Sequence, residues 1–212
     1  GERRFDAQLV LTVDAMRRGN WKGARDYIGG QPDKTGGAIA NLITPALQSW
    51  IDVGARENAP ERHLIAALRR GRIEPTLALE AAMVRAVAQR PAEAAALAAE
   101  TKLTDRTSQL VALRLAATLE AAGQVEAAEG LRARTAMAAG GREDPMLLLS
   151  GQPVTTARGG AAHWLGMLAD GLARTPNGGT KLPLLFARAA YWLDGDDWTA
   201  RSALVETLDR DG

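Results

Sequence analysis

The sequence predicts an all-helical fold in which antiparallel helix pairs follow one another as an α-solenoid, and three observations predict it. Hydrophobic residues make up 46% of the 212-residue chain but aromatics only 4%, so the apolar content is mainly aliphatic side chains and alanine. Alanine is the best helix former and lets helices approach closely, whereas strand-rich chains draw on Val, Ile, Thr and aromatics. A short glycine-to-alanine step recurs along the chain. The recurrences keep a nearly constant stride.

The step is a glycine followed by an alanine five positions later. It occurs as Gly19-Asn20-Trp21-Lys22-Gly23-Ala24, Gly54-Ala55-Arg56-Glu57-Asn58-Ala59, Gly123-Gln124-Val125-Glu126-Ala127-Ala128 and Gly195-Asp196-Asp197-Trp198-Thr199-Ala200. A degenerate copy, Gln89-Arg90-Pro91-Ala92-Glu93-Ala94, lies between the second and third. From Gly19 to Gly54 is 35 residues, from Gly54 to Gln89 is 35, from Gln89 to Gly123 is 34, and from Gly123 to Gly195 is 72. One such step is cheap in an alanine-rich chain. Four markers in phase are not, and their period suits a ~34-residue helix–turn–helix unit. The glycine is expected to end a first helix in the left-handed conformation, and the alanine to sit where the second helix crosses it.

Element by element, Leu9, Leu11, Val13 and Met16 give the first helix its apolar stripe before Gly19. Pro75 and Pro91 stand where helices start, the position that tolerates proline best. Before Gly123, Leu110, Val111, Leu113, Leu115, Ala116 and Leu119 occupy two adjacent helical faces, as a helix gripped from two sides requires. Gly140-Gly141, Pro145, Gly151 and Pro153 mark a loop around the apolar stretch Met146 to Leu149. A helix resumes near Thr155, with Ala161, Trp164, Leu165, Leu168 and Leu172 on one face, and ends at Thr175-Pro176-Asn177-Gly178-Gly179. The expectation is about eleven helices. Repeats fill 1–137, an irregular loop 138–154, and helices continuing the solenoid 155–212. The loop reads as a binding element or a linker.

The phased steps, with Trp21 and Val125 two positions after the glycine, resemble the tetratricopeptide repeat family in a divergent bacterial form. Leu11 and Ala15 in the first unit, and Leu115 and Leu119 in the fourth, stand eight and four positions before it. The resemblance covers about residues 4–137 and 181–209. It departs from the family where the closing prolines are mostly missing and where Gln89 replaces the glycine. It implies a right-handed solenoid whose inner wall binds a peptide or protein. The family's groove positions would fall on Asp6, Leu9, Val13, Met16 and Arg17, then Asn41, Thr44, Gln48, Ile51 and Asp52, then Leu79 and Met83, then Leu113, Ala117 and Glu120.

Net charge is +1, with 26 basic and 25 acidic residues, so the basic excess that nucleic-acid binding needs is missing. Clusters such as Arg69, Arg70 and Arg72, or Arg132 and Arg134, suit helix C-termini or solvated faces. There is no cysteine, which removes disulfides and thiolate chemistry. No stretch approaches the ~20 apolar residues of a membrane span, so no membrane insertion is expected within the segment. The start at Gly1-Glu2-Arg3-Arg4 and the end at Asp211-Gly212 read as a piece of a longer protein. Any targeting signal would then lie upstream, in a bacterial cytoplasmic or periplasmic protein.

Tests for catalytic chemistry fail one by one. His63 and His163 have no metal-ligand spacing. His63 is expected to flank a helix start and His163 to pack beside Trp164. Asp194-Gly195-Asp196-Asp197 breaks the calcium-loop pattern at Trp198 and Val205, leaving a turn with carboxylates at a helix N-terminus. Gly29-Gly30-Gln31-Pro32-Asp33-Lys34-Thr35 lacks the second glycine of a phosphate loop and reads as a linker. The five tryptophans, Trp21, Trp50, Trp164, Trp192 and Trp198, are expected in the packing, and any left exposed is a candidate anchor.

No catalytic residue, cofactor or metal site is therefore expected. The reading is a non-catalytic scaffold for a peptide or protein partner, with groove candidates Asp6, Leu9, Val13, Arg17, Asn41, Gln48, Asp52, Met83 and Glu120. The same residues would serve equally to pack against further repeats of the full-length chain. The alternatives are the helical accessory region of a larger enzyme or complex, and an RNA-binding array of similar period, which the charge disfavours.

Overall fold

The computed structural model describes residues 2–29, 38–70, 75–141, 151–175 and 179–211. Among these residues there are eleven helices and no strand, as the composition predicts. They are α1 (Glu2–Arg17), α2 (Trp21–Ile28), α3 (Ala38–Gly54), α4 (Arg62–Arg69), α5 (Pro75–Val87) and α6 (Pro91–Glu100). There follow α7 (Arg106–Ala121), α8 (Val125–Ala139), α9 (Ala157–Ala173), α10 (Lys181–Leu193) and α11 (Trp198–Asp211). Pro75 and Pro91 are the first residues of their helices.

Four helix ends share one turn. At Gly19, Arg56, Gln89 and Gly123 the backbone turns left-handed, with φ of +71°, +59°, +65° and +83°. Each of these residues donates its N–H to the carbonyl three back, and the next residue donates to the carbonyl five back. That double bond pattern closes a helix C-terminus by satisfying two otherwise orphaned carbonyls. In the second copy the left-handed residue is Arg56 and not the expected Gly54, which is the last residue of α3. After Gly19, Gln89 and Gly123 the next helix starts two residues on, whereas α4 starts six residues after Arg56. Ala24, Ala94, Ala128 and Ala200 are fully buried near the starts of α2, α6, α8 and α11. Ala59 departs from the pattern, exposed at a φ of +48°.

The chain forms two compact units, one of residues 1–58 and 157–212, the other of residues 59–156. In the first, α1 packs on α2 and α10, α2 on α3, and α3 on α9. Helix α9 is its centre, buried without a break from Gly159 to Asp170 and packed by α3, α10 and α11. Small residues let the neighbours in. A Cβ on Gly160 would overlap the indole of Trp50 from α3, and one on Gly166 would meet the backbone of Thr199 and Ala200 at 3.1 Å. The C-terminal helices 155–212 thus complete a unit begun by the N-terminal ones.

In the second unit α5 packs on α6 and α7 on α8. The two pairs also meet each other, α5 against α7 and α6 against both α7 and α8, with α4 against α5. Helix α7 opens with a capping box, Asp105 Oδ1 accepting from the Ser108 N–H at 2.8 Å and Ser108 Oγ accepting from the Asp105 N–H at 3.2 Å. Arg134 of α8 donates to the carbonyls of Ala98 and Thr101, covering the end of α6. A cation there satisfies open carbonyls and complements the helix dipole.

Candidate functional site

Groove candidates in the first unit divide between core and surface. Leu9 and Val13 of α1 are fully buried, as are Met16 and Ile51. Their side chains build the unit's interior, which corrects the expectation that Leu9 and Val13 face a partner. Of the apolar stripe of α1, Leu9, Val13 and Met16 are covered, with α10 as well as α2 packed on the helix, while Leu11 stays 46% exposed. Asp6 and Gln48 are half-buried. The backbone of Asn41 lies in α3, but its side chain falls outside the described residues. Arg17 is exposed, with its guanidinium 5.2 Å from the centroid of the Trp192 ring, a cation–π arrangement.

Asp52 is also turned inward, 1% exposed, and accepts from Arg25 at 2.9 Å. The same guanidinium reaches Glu57 at 2.9 Å, so one arginine of α2 ties α3 to the turn after it. The hydrogen bond to Glu57 and the charge of Asp52 hold the Arg25 proton more tightly than usual, against the opposing pull of burial. Asp52 is thus an internal ion-pair partner and not a groove-facing group.

In the second unit, Met83 is fully buried on α5, which removes it from a surface groove. Glu120 is exposed and pairs with Arg132 of α8. What Met83 does touch was not legible beforehand. Thr118 of α7 places its Oγ1 3.4 Å from the Met83 Sδ and 3.0 Å from the carbonyl of Arg114. That oxygen also accepts from the backbone N–H of Val154 at 2.9 Å. Val154 is 3% exposed, while Gly151, Gln152, Thr155 and Thr156 around it are exposed. The backbone at Val154 is thus joined to α7 through the Thr118 hydroxyl.

A charge cluster of this unit surrounds Glu61, 4% exposed just before α4. Arg85 donates to it at 3.1 Å, and Arg90 at 2.9 and 3.0 Å. Burial alone pushes the Glu61 carboxyl up, but a backbone hydrogen bond, Arg90 and Arg85 together outweigh it and hold the carboxyl below its ordinary value. Arg90 also grips Glu93 at 2.5 and 2.8 Å, which lowers that carboxyl and raises the arginine. These pairs join α4, α5 and α6.

The other sequence candidates resolve into structural roles. His63 is half-buried at the start of α4, and buried His163 places its Nδ1 3.2 Å from Thr199 Oγ1. Asp194 and Asp197 form a turn, Asp197 Oδ1 accepting from the Ala200 N–H at 2.9 Å at the start of α11. Trp50 and Trp164 are fully buried, Trp21 and Trp198 half-buried, and Trp192 is 43% exposed. Among the described residues no three His, Asp or Glu side chains gather to hold a metal ion, and no helix is long and apolar enough to cross a membrane. Residues 30–35 of the glycine-rich stretch, Arg72, and 142–150 of the loop lie outside the described residues.

Comparison with known proteins adds no family: no family model matches the chain, and neither does any curated protein or solved structure.

Proposed function

We propose that the chain is a non-catalytic scaffold, a tetratricopeptide-like solenoid that binds a peptide or protein along the first helices of its pairs. One observation carries this reading: side chains repeatedly meet partners one repeat length away in sequence. Thr118 meets Met83 at a separation of 35 residues, Val154 meets Thr118 at 36, and Arg134 meets Ala98 at 36. His163 meets Thr199 at 36, and Arg210 meets Ala173 at 37. Contacts recurring at 35 to 37 residues are what nearest-neighbour stacking of similar units produces, beside ion pairs at shorter separations such as Arg25–Asp52 and Arg85–Glu61. The four matching helix-end turns, at intervals of 37, 33 and 34 residues, support the same stride.

The second unit supports the array best, since its pairs stack α5 on α7 and α6 on α8. In the first unit helices from both ends of the chain pack together, and its two left-handed turns, at Gly19 and Arg56, stand 37 residues apart. Of the groove candidates, those reaching the surface are Asp6, Arg17, Gln48 and Glu120.

Affinity capture with the full chain tests the reading. A partner is expected to saturate the immobilised chain and to be lost with Gln48→Arg or Glu120→Arg. It should be retained with Tyr27→Ala, a change on an exposed position of a second helix. No saturable partner, or one indifferent to both charged substitutions, would overturn the scaffold reading.

A further inference from the structure

Within the first unit, arginines from three helices gather at one exposed indole. Arg17 ends α1, and its guanidinium lies 5.2 Å from the ring centroid of Trp192, close to the end of α10. Arg158, the second residue of α9, donates to the Arg17 carbonyl at 3.3 Å. Arg188 is exposed on α10, one turn before Trp192 and on the same face. The carboxylate beside Arg17 is Asp14, which is drawn to Arg18 at 2.7 Å and stands 3.8 Å from Arg17, beyond hydrogen-bond range. Acids of the turn after α10 are engaged elsewhere: Asp194 accepts from the Asp196 N–H, and Asp196 pairs with Arg201 at 2.7 Å. Among the described residues, no carboxylate lies within hydrogen-bond range of Arg17, Arg158 or Arg188. Each guanidinium has five N–H groups in a flat fork that matches a carboxylate. The fold does not account for all of this charge. A cation suits the end of α1, but Arg158 stands in the first turn of α9, where the helix dipole disfavours one. Beside these groups Trp192 is 43% exposed, and tryptophan with arginine is the usual pairing of a partner's anchor points.

We propose that Arg17, Arg158, Arg188 and Trp192 form a docking surface for an acidic peptide segment, one in which a large apolar side chain stands between carboxylates. The proposal rests on the scaffold reading and adds the partner's chemistry. The segment's carboxylates take the open N–H groups of the arginines, and its apolar side chain covers the open part of the indole. Stacking on the ring holds the Arg17 guanidinium in place beforehand, so less side-chain freedom is lost on docking.

The test titrates the 15N-labelled full chain with acetyl-Glu-Asp-Leu-Glu-Asp-amide, whose capped ends leave side-chain carboxylates as its sole charges. The readout is the indole N–H resonance of Trp192, assigned by its loss in Trp192→Phe. That resonance is expected to shift saturably, while the indole of fully buried Trp164 stays in place. The uncharged acetyl-Gln-Asn-Leu-Gln-Asn-amide should bind about tenfold weaker or more, and so should the acidic peptide to Arg158→Glu or Arg188→Glu. Arg158→Glu gives up the bond to the Arg17 carbonyl, whereas Arg188→Glu breaks no bond of the fold and keeps the test open should the first variant unfold. An unshifted Trp164 indole shows that a variant is folded. No saturable shift of Trp192, equal affinity for the two peptides, or full affinity in either folded arginine variant would overturn the proposal. So would tighter binding of the peptide with phosphoserine in place of its acids, which would assign the arginines to phosphate. Failure to capture any partner sinks the scaffold reading, whereas a captured partner indifferent to Arg158→Glu and Arg188→Glu sinks this surface alone.

Discussion

The indole of Trp21 from α2 lies against Gly54, the last residue of α3, so closely that a Cβ there would stand 2.5 Å from the ring. The glycine serves the approach of a neighbouring helix, since the left-handed turn falls two residues later at Arg56. Gly54→Ala is therefore expected to destabilise the chain by about 1–3 kcal/mol through overpacking. In a Trp21→Ala background the same change should cost much less, because the two residues share one contact. Denaturant titration of the four chains reads the coupling, and additive effects would refute the contact.

Gln89 occupies the left-handed position that glycine holds at Gly19 and Gly123. A side chain there costs roughly 1–2 kcal/mol, partly offset by the backbone freedom a glycine loses on folding. Gln89→Gly should stabilise by about 0.5–1 kcal/mol and Gly123→Ala should destabilise by about the same. Gly123 has open space where a Cβ would stand, and Gln89 is exposed, so the backbone dominates both changes. A Gln89→Gly chain less stable than wild type would contradict the shared turn.

Local signals were legible in the sequence, and signals depending on distant chain were not. Phase located Ala24, Ala94, Ala128 and Ala200 correctly, because each sits at a fixed offset from a turn. Gly54 was misread because a glycine required by φ and one required by a neighbour's ring look alike. The left-handed Gln89 was found by phase alone. Among the groove candidates, Leu9 and Val13 were lost to the core because α10, some 180 residues on, packs on α1. Asp52 was lost to Arg25, 27 residues away. Thr118 and Val154 carried no pattern, since a hydroxyl in a helix and a valine in a loop mean nothing until they meet.

Trp50 and Gly160 set the packing of α3 on α9, where the fully buried indole fills the space a Cβ would take. Gly160→Ala is expected to cost about 2–4 kcal/mol, since both partners are rigid and enclosed. Trp50→Phe removes part of the ring and should recover some of that loss when combined with it. Near-ultraviolet circular dichroism should change in Gly160→Ala, while Trp192, partly exposed, keeps its own signal. A neutral Gly160→Ala would mean that α3 and α9 are further apart than the structure has them.

Glu61 gives the second unit an acid-sensitive joint. Its carboxyl is held below its ordinary value of 4.5 when folded, so the unfolded chain binds the proton more readily. Stability from this group is then fully present above the ordinary value and is lost as pH falls through the lower folded one. Glu61→Gln should cost about 1–3 kcal/mol at neutral pH by leaving Arg85 and Arg90 without their shared carboxylate. It should also flatten the loss of stability below about pH 4.5. Glu93→Gln, at an exposed position on the same Arg90, should change stability little at neutral pH. Urea titrations of the three chains between pH 3 and pH 7 read the difference. Parallel pH profiles for wild type and Glu61→Gln would show that this carboxylate does not hold α4 to α5 and α6.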